Sequence, residues 1–205
     1  MANQKKPTGI SASIRITSSG VHREVAEFPQ SKNEIERLMA EAFCAGKPTL
    51  NPQIAHYGNL TNLTSQPENS LDFRITTAYG DKWLELAEFA PLALFHGRYE
   101  NVPIEWDISE IRDLFLSLIK EKGNKGYGEG VILLIYKTHN SLYVPPPILR
   151  CVTKELADHP PPFEAIYFIS AHSVEHSMTR QIWPEDLKNQ GPTFHSGTAI
   201  IGIEQ

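Results

Sequence analysis

The chain has 205 residues, 24 acidic and 19 basic, so its formal net charge at pH 7 is −5. This length suits a single domain with a sizeable core. A negative net charge does not favour strong non-specific binding to nucleic acid, although a local basic face could still bind it. No apolar run reaches the length that crosses a membrane, so we expect no membrane partner.

Hydrophobic periodicity and breaker residues divide the chain into strands and helices. Alternating apolar and polar side chains indicate half-buried strands, and an unbroken apolar run indicates a strand buried on both faces. The predicted elements, in chain order, are strands over 10–17 and 21–28, a helix over 31–46, strands over 71–77 and 82–89, a helix over 107–123, a strand over 131–136, a helix over 148–157, and strands over 165–170 and 198–203.

Three stretches lack a clear hydrophobic period. Residues 49–69 form a long polar loop, with one short strand expected at 54–57. Residues 90–107 carry scattered aromatic side chains and leave room for a further strand. Residues 171–183 are compatible with a helix or a strand, and both possibilities stay open.

The order of these elements predicts an α/β/α sandwich around a central mixed sheet, preceded by an N-terminal hairpin. Strands joined through a helix should pair in parallel, whereas the strands at 71–77 and 82–89 should form an antiparallel hairpin. We expect residues 1–205 to be one domain, in which residues 1–9 form a flexible tail.

Cysteine usage and the polar N-terminus favour a cytoplasmic protein. The chain has two cysteines, Cys44 and Cys151, and both lie in apolar surroundings. Two isolated thiols are typical of a reducing compartment, where they act as small buried hydrophobic side chains. The N-terminal residues are polar and show no apolar signal core.

Two carboxylates on the neighbouring strands at 71–77 and 82–89 give the strongest chemical signal. Asp72 opens the first strand, and Glu85 lies in the second, where alternation can place both side chains on one face. Two such carboxylates can hold a divalent cation through oxygen ligands. Glu88 should face the other way, and a carboxylate of the first helix, Glu34 or Glu41, can approach the pair.

These elements and residues resemble the PD-(D/E)xK nuclease superfamily, which has the restriction-endonuclease-like fold. The family core runs helix, strand, strand, strand, helix, strand, with an acidic residue on one strand and Glu-x-Lys on the next. The resemblance covers residues 31–137 and implies that Asp72, Glu85 and Glu34 bind Mg²⁺. It further implies metal-dependent hydrolysis of phosphodiester bonds in DNA or RNA.

The sequence departs from the family pattern at two positions. Leu71 stands where the family often has Pro, and Ala87 stands where the lysine of Glu-x-Lys is expected. A migrated lysine occurs in the family, and Lys137, at the end of the buried strand, is the natural candidate. Its ammonium would lower the pKa of the attacking water or stabilise the phosphate charge. Without a lysine, the site could hold metal but would hydrolyse slowly or not at all.

A non-catalytic interaction or regulatory module on the same fold is the first alternative. The negative net charge, the missing lysine at Ala87 and the apolar strand at 198–203 favour it. If that strand lies at a sheet edge, it can pair with another chain, so a protein partner or a homodimer is expected in this case.

A zinc hydrolase is the second alternative. His172-Ser-Val-Glu175-His176 matches the H-x-x-E-H pattern of the inverzincins. On a helix, His172 and His176 would lie one turn apart and bind one Zn²⁺, with Glu175 as general base. The candidates for the third protein ligand are Glu185, His195 and Glu204.

Overall fold

The computed structural model describes residues 10–46, 57–68, 70–102, 107–139, 142, 144–171, 173–174 and 177–185. Within these ranges the chain forms eight strands and three α-helices. They are β1 (Ile10–Thr17), β2 (Gly20–Glu27), α1 (Lys32–Ala45), β3 (Thr61–Ser65), β4 (Phe73–Thr77), β5 (Gly80–Glu88), α2 (Ile108–Gly123), β6 (Val131–Tyr136), α3 (Pro146–Asp158), β7 (Ala165–Ala171) and β8 (Ser177–Trp183).

Six strands form one mixed sheet in the order β3-β4-β5-β6-β7-β8, and β1 pairs with β2 in a separate hairpin. The β3–β4, β4–β5 and β7–β8 pairs are antiparallel, whereas β5–β6 and β6–β7 are parallel. Each parallel pair is joined through a helix, because a parallel connection needs a crossover. The predicted mixed sheet with an N-terminal hairpin is confirmed.

The core lies on both faces of the sheet, with β6 at its centre. Ile132 and Leu134 pack in the same cluster as the buried face of α1. Leu133 and Ile135 alternate with them and pack with α2 and α3. One helix therefore covers one face and two helices cover the other, as in an α/β sandwich. None of the described helices is long and apolar enough to cross a membrane.

The structure adds a strand to the stretch predicted as a long polar loop, residues 49–69. In the described part of this stretch the strand is Thr61–Ser65, and the short strand predicted at 54–57 falls mostly on residues that are not described. Four of its five side chains are exposed, so it shows no alternation of apolar and polar residues that a sequence pattern could reveal. Asn62 has a positive φ of 54°, and the pairing with β4 shifts register between Thr61 and Thr64. Residues 54–56 lie outside the described ranges.

Two other open stretches are described in part. In the described part of 90–107, the chain forms short 3₁₀ helices at Leu92–Phe95 and Tyr99–Asn101 in place of a further strand. The second half of 171–183 is strand β8. The predicted tail at 1–9 and the predicted strand at 198–203 lie outside the described residues.

Helix α1 begins at a capping box formed by Ser31 and Glu34. Ser31 Oγ accepts a hydrogen bond from the Glu34 backbone N–H, and Glu34 Oε2 accepts one from the Ser31 N–H. Replacing Ser31 by Ala removes one partner of an otherwise unpaired helix N–H. We expect this change to lower the free energy of unfolding by about 1 kcal/mol in urea denaturation. Ser18→Ala, in the exposed turn between β1 and β2, is the control; an equal loss in both variants would contradict the role of the cap.

Candidate functional site

The two carboxylates singled out by the sequence lie on neighbouring segments of the chain where β4 begins. Asp72 directly precedes β4, and its Oδ2 accepts a hydrogen bond from the Leu86 backbone N–H at 2.7 Å. Phe73 pairs with Leu84, which places Asp72 beside Glu85 on the neighbouring strand. Burial and the negative charge of Glu85 raise the pKa of the Asp72 carboxyl, against the opposing effect of the Leu86 hydrogen bond.

Glu85 is buried, and three side chains lie close to one of its carboxylate oxygens. The residue is only 4% exposed. Its Oε1 accepts hydrogen bonds from Lys122 Nζ and from the Tyr127 hydroxyl, each at 2.6 Å, and Lys125 Nζ lies 3.7 Å away. Lys122 Nζ also donates to the Leu86 carbonyl at 3.0 Å. A buried carboxylate needs such compensation, because removing a charge from water is costly.

Helix α1 contributes a third carboxylate, Glu36. It is 7% exposed and forms an ion pair with Lys32 at 3.2 Å. Burial and the charge of Asp72 raise the pKa of the Glu36 carboxyl, while Lys32 and Lys122 act in the opposite direction. Burial lowers the pKa of the Lys32 ammonium. The charge and hydrogen bond of Glu36, together with the charges of Asp72 and Glu85, outweigh burial, so the net shift is upward.

The structure therefore brings Glu36, rather than Glu34, into the electrostatic range of Asp72. Glu34 is exposed, and its carboxylate is used in the capping box with Ser31. Positions 34 and 36 differ by roughly 200° around the helix, so they lie on nearly opposite sides of it. Glu41 forms a hydrogen bond with Arg37 at 2.8 Å.

The lysine that contacts Glu85 comes from α2, rather than from the end of β6. Lys137 directly follows β6, four positions beyond Leu133, which pairs with Glu85. Four residues of extended chain span about 13 Å. Burial lowers the pKa of the Lys137 ammonium. Lys122 is therefore a lysine that contacts Glu85, and the catalytic role of Lys137 stays a prediction from the sequence.

Glu36 and Lys122 were missed from the sequence, although each leaves a readable signal. Glu36 precedes Met39, Ala40 and Phe43 at spacings of three, four and seven, on the apolar stripe of α1. Lys122 follows Phe115 and Ile119 on the apolar stripe of α2 in the same way. A charged residue that continues a buried stripe indicates a partner inside the fold.

Glu88 has a different set of partners from Glu85. Its Oε1 accepts hydrogen bonds from Thr138 Oγ1 at 2.5 Å and from the Tyr99 hydroxyl at 3.2 Å. The Tyr99 ring stacks on His139 with centroids 4.2 Å apart. Burial and the Glu88 charge raise the pKa of the Tyr99 hydroxyl to about 12, so it acts as a neutral donor.

The donor set of the site suits a hard divalent cation. Among the described residues, no three His, Cys, Asp or Glu side chains are grouped closely enough to hold a metal ion. Mg²⁺, however, is commonly bound by one or two carboxylates, with waters and substrate phosphates completing the shell. Asp72 and Glu85 would supply such oxygens, and a bound cation would oppose the effects of burial and of the Glu85 charge, which raise the pKa of the Asp72 carboxyl.

The zinc motif cannot be placed in the same way. His172, Glu175 and His176 fall outside the described residues, in the connection between β7 and β8. His195 and Glu204 also lie outside them, and Glu185 is the last described residue. The zinc site stays a prediction from the sequence.

Comparison with known proteins adds no relative. No family model, no curated protein and no solved structure matches the chain. The interpretation of the site therefore depends on its own geometry and chemistry.

Proposed function

We propose that this protein is a metal-dependent nuclease-like protein that hydrolyses phosphodiester bonds. The observation that carries the proposal is the convergence of Glu36, Asp72, Glu85 and Lys122 from α1, the start of β4, β5 and α2. The order α1-β3-β4-β5-α2-β6 supports it, because this is the element order of the PD-(D/E)xK core that the sequence resembles. Since a fold alone does not define a function, the charged residues carry the argument.

Each charged side chain has a chemical role in this proposal. Asp72 and Glu85 would hold Mg²⁺, which would activate a water molecule and neutralise charge on the phosphate. The ammonium of Lys122, already beside Glu85, would stabilise the negative charge that develops on the scissile phosphate. Tyr127 holds the Glu85 carboxylate in place through its 2.6 Å hydrogen bond.

A non-catalytic module on the same fold is the second candidate, and one observation favours it. Oε1 of Glu85 is already bonded to Lys122 and Tyr127, with Lys125 nearby. A carboxylate neutralised in this way can be a structural remnant of a catalytic site. In that case the protein would act as a regulator, through a protein partner or a second copy of itself.

A nuclease assay with several substrates separates the two candidates. We expect labelled DNA or RNA to be cleaved in Mg²⁺ or Mn²⁺ and left intact in EDTA. Asp72→Asn/Glu85→Gln should abolish the cleavage while keeping the shape of both side chains. Glu34→Gln is the matched control and should cleave as wild type does, because Glu34 is exposed in the capping box. A folded wild type that cleaves no substrate would overturn hydrolysis and favour the regulatory module.

A cytoplasmic location belongs to the same proposal. Cys44 and Cys151 are free thiols. Burial raises the pKa of the Cys44 thiol to about 12, with a further contribution from the charge of Glu41. Such a thiol stays protonated and unreactive at neutral pH, as expected for a structural cysteine in a reducing compartment.

A further inference from the structure

Two pairs of a cation and an aromatic ring adjoin Glu85. Arg74 Cζ lies 5.9 Å from the centroid of the Trp83 ring, and Lys125 Nζ lies 5.8 Å from that of Tyr127. Trp83 precedes Glu85 by two residues, on the same face of β5. The Tyr127 hydroxyl donates directly to the Glu85 carboxylate. Tyr127 is therefore bonded to the centre of the proposed site, and Trp83 lies two residues from it along β5.

The cations of these pairs reach solvent, whereas the rings are anchored. The side chains of Arg74 and Lys125 are 52% and 51% exposed. Trp83 and Tyr127 are half-buried and pack against the core cluster under α2 and α3. Arg74 also pairs with Asp81, which occupies only part of a guanidinium that has five N–H donors. The surface thus combines exposed cations with fixed flat rings.

The loop from α2 to β6 leaves open space beside these side chains. Gly126, Gly128 and Gly130 have φ values of 66°, 90° and 73°, a region that glycine adopts without steric cost. A Cβ at Gly126 or Gly128 would meet nothing within 4 Å. The Trp83 backbone N–H donates to the Gly130 carbonyl at 3.0 Å, so the loop is fixed to β5. The loop is therefore held to β5 at Gly130, and the space directly above Gly126 and Gly128 is open.

We propose that the surface formed by Arg74, Trp83, Lys125 and Tyr127 binds a single-stranded segment of nucleic acid. The cations would bind backbone phosphates, and unstacked bases would stack on the aromatic rings. Both cation–ring distances are close to the outer limit of about 6 Å, so a base can replace the cation over a ring while the cation moves to a phosphate.

A single strand fits this surface better than a duplex for two reasons. The base faces of a duplex are stacked on one another and do not reach a protein ring. A duplex also has a higher charge density, which the net charge of −5 opposes. This inference rests on the proposed function and narrows its substrate class.

Fluorescence anisotropy in EDTA tests the surface without metal or cleavage. The probes are labelled oligothymidylate and oligouridylate of about 12 nucleotides and a DNA duplex of equal length. Arg74→Ala/Lys125→Ala should weaken single-strand binding about 10-fold or more. The slope of log affinity against log salt should fall by about 1.4, which corresponds to two phosphate contacts. Arg150→Ala/Lys154→Ala, two exposed cations on α3, is the control and should bind as wild type does.

The ring is tested by two substitutions that disturb packing alike. Trp83→Phe keeps an aromatic face and should retain most of the binding, whereas Trp83→Leu should lose about 10-fold or more. Melting temperatures show whether both variants fold. Equal binding by the two Trp83 variants, unchanged binding by Arg74→Ala/Lys125→Ala, or tighter binding of the duplex would each overturn the inference.

The outcome is separable from that of the proposed function. Asp72→Asn/Glu85→Gln should still bind single strands in EDTA, because it leaves all four surface residues in place. Single-strand binding by a wild type that binds no metal would support the surface and overturn hydrolysis. Metal-dependent cleavage of duplexes, with no affinity for single strands, would overturn the surface and support hydrolysis.

Discussion

Replacing Lys122 by Met is expected to lower the free energy of unfolding by about 3 kcal/mol. Methionine keeps an apolar stem of similar length, so the main loss is the charge opposite Glu85. The Lys122 side chain is only 17% exposed, and Glu85 is more deeply buried. An uncompensated buried carboxylate is costly, and Tyr127 and Lys125 offset only part of the loss. If the site is hydrolytic, we also expect activity to fall by about 100-fold or more.

Urea denaturation of Lys122→Met and of Lys120→Met measures the stability effect. Lys120 is exposed on the same helix, so its substitution should change stability by less than about 0.5 kcal/mol. Adding Glu85→Gln to Lys122→Met should recover most of the loss, because the buried charge is then absent. Equal midpoints for the two lysine variants would contradict the buried pair. Loss of activity in Lys137→Met, with Lys122→Met active, would assign the lysine role to Lys137.

In EDTA at pH 7, Asp72→Asn is expected to stabilise the protein by about 0.5–2 kcal/mol. Burial and the Glu85 charge raise the pKa of the Asp72 carboxyl, so its ionised form is disfavoured in the folded state. Asparagine removes this charge and keeps an oxygen that can accept the Leu86 hydrogen bond. The same change should abolish binding of Mg²⁺, since a ligand carboxylate is lost.

The sign of this effect with pH follows from the direction of the shift. Between the ordinary carboxyl pKa of 3.8 and the raised value, folded wild type binds more protons than the unfolded chain. Wild type therefore gains stability relative to Asp72→Asn as the pH falls through the raised pKa, and the advantage of the variant disappears below 3.8.

Chemical denaturation at stepped pH in EDTA measures this difference. Glu121→Gln, which removes an exposed carboxylate on α2, is the control and should change stability at pH 7 by less than about 0.5 kcal/mol. An advantage of Asp72→Asn that grows as the pH falls would contradict a raised pKa for the Asp72 carboxyl.

The parts of the fold that the sequence predicted are those with local signals. Helix α1 has a capping box at Ser31, and β6 is an unbroken apolar run. Such patterns involve residues close together in the sequence, so they can be recognised without knowing the tertiary structure. Strand β3 had no such pattern, because its exposed polar residues become a strand only through pairing with β4. A sequence pattern cannot show a contact that forms between distant segments.

In the candidate site, too, the residues with local signals were predicted and those that depend on packing were not. Asp72 and Glu85 were found because alternation along two adjacent strands places them together. The contact of Lys122 with Glu85 joins residues 37 positions apart and depends on how α2 packs against the sheet. Glu34 was named because the resemblance implies a glutamate from the first helix, while the position of Glu36 on the buried stripe of α1 was not used.

Titration calorimetry with Mg²⁺ and Mn²⁺ tests most directly whether Asp72 and Glu85 form a divalent-cation site. Wild type, Asp72→Asn/Glu85→Gln and the capping-box control Glu34→Gln are compared in the same buffer, with circular dichroism to confirm that all three are folded. Saturable binding by wild type and Glu34→Gln, with none by the double variant, is the predicted result. Absence of binding by folded wild type, or equal binding by the double variant, would contradict the metal site and the hydrolysis that depends on it.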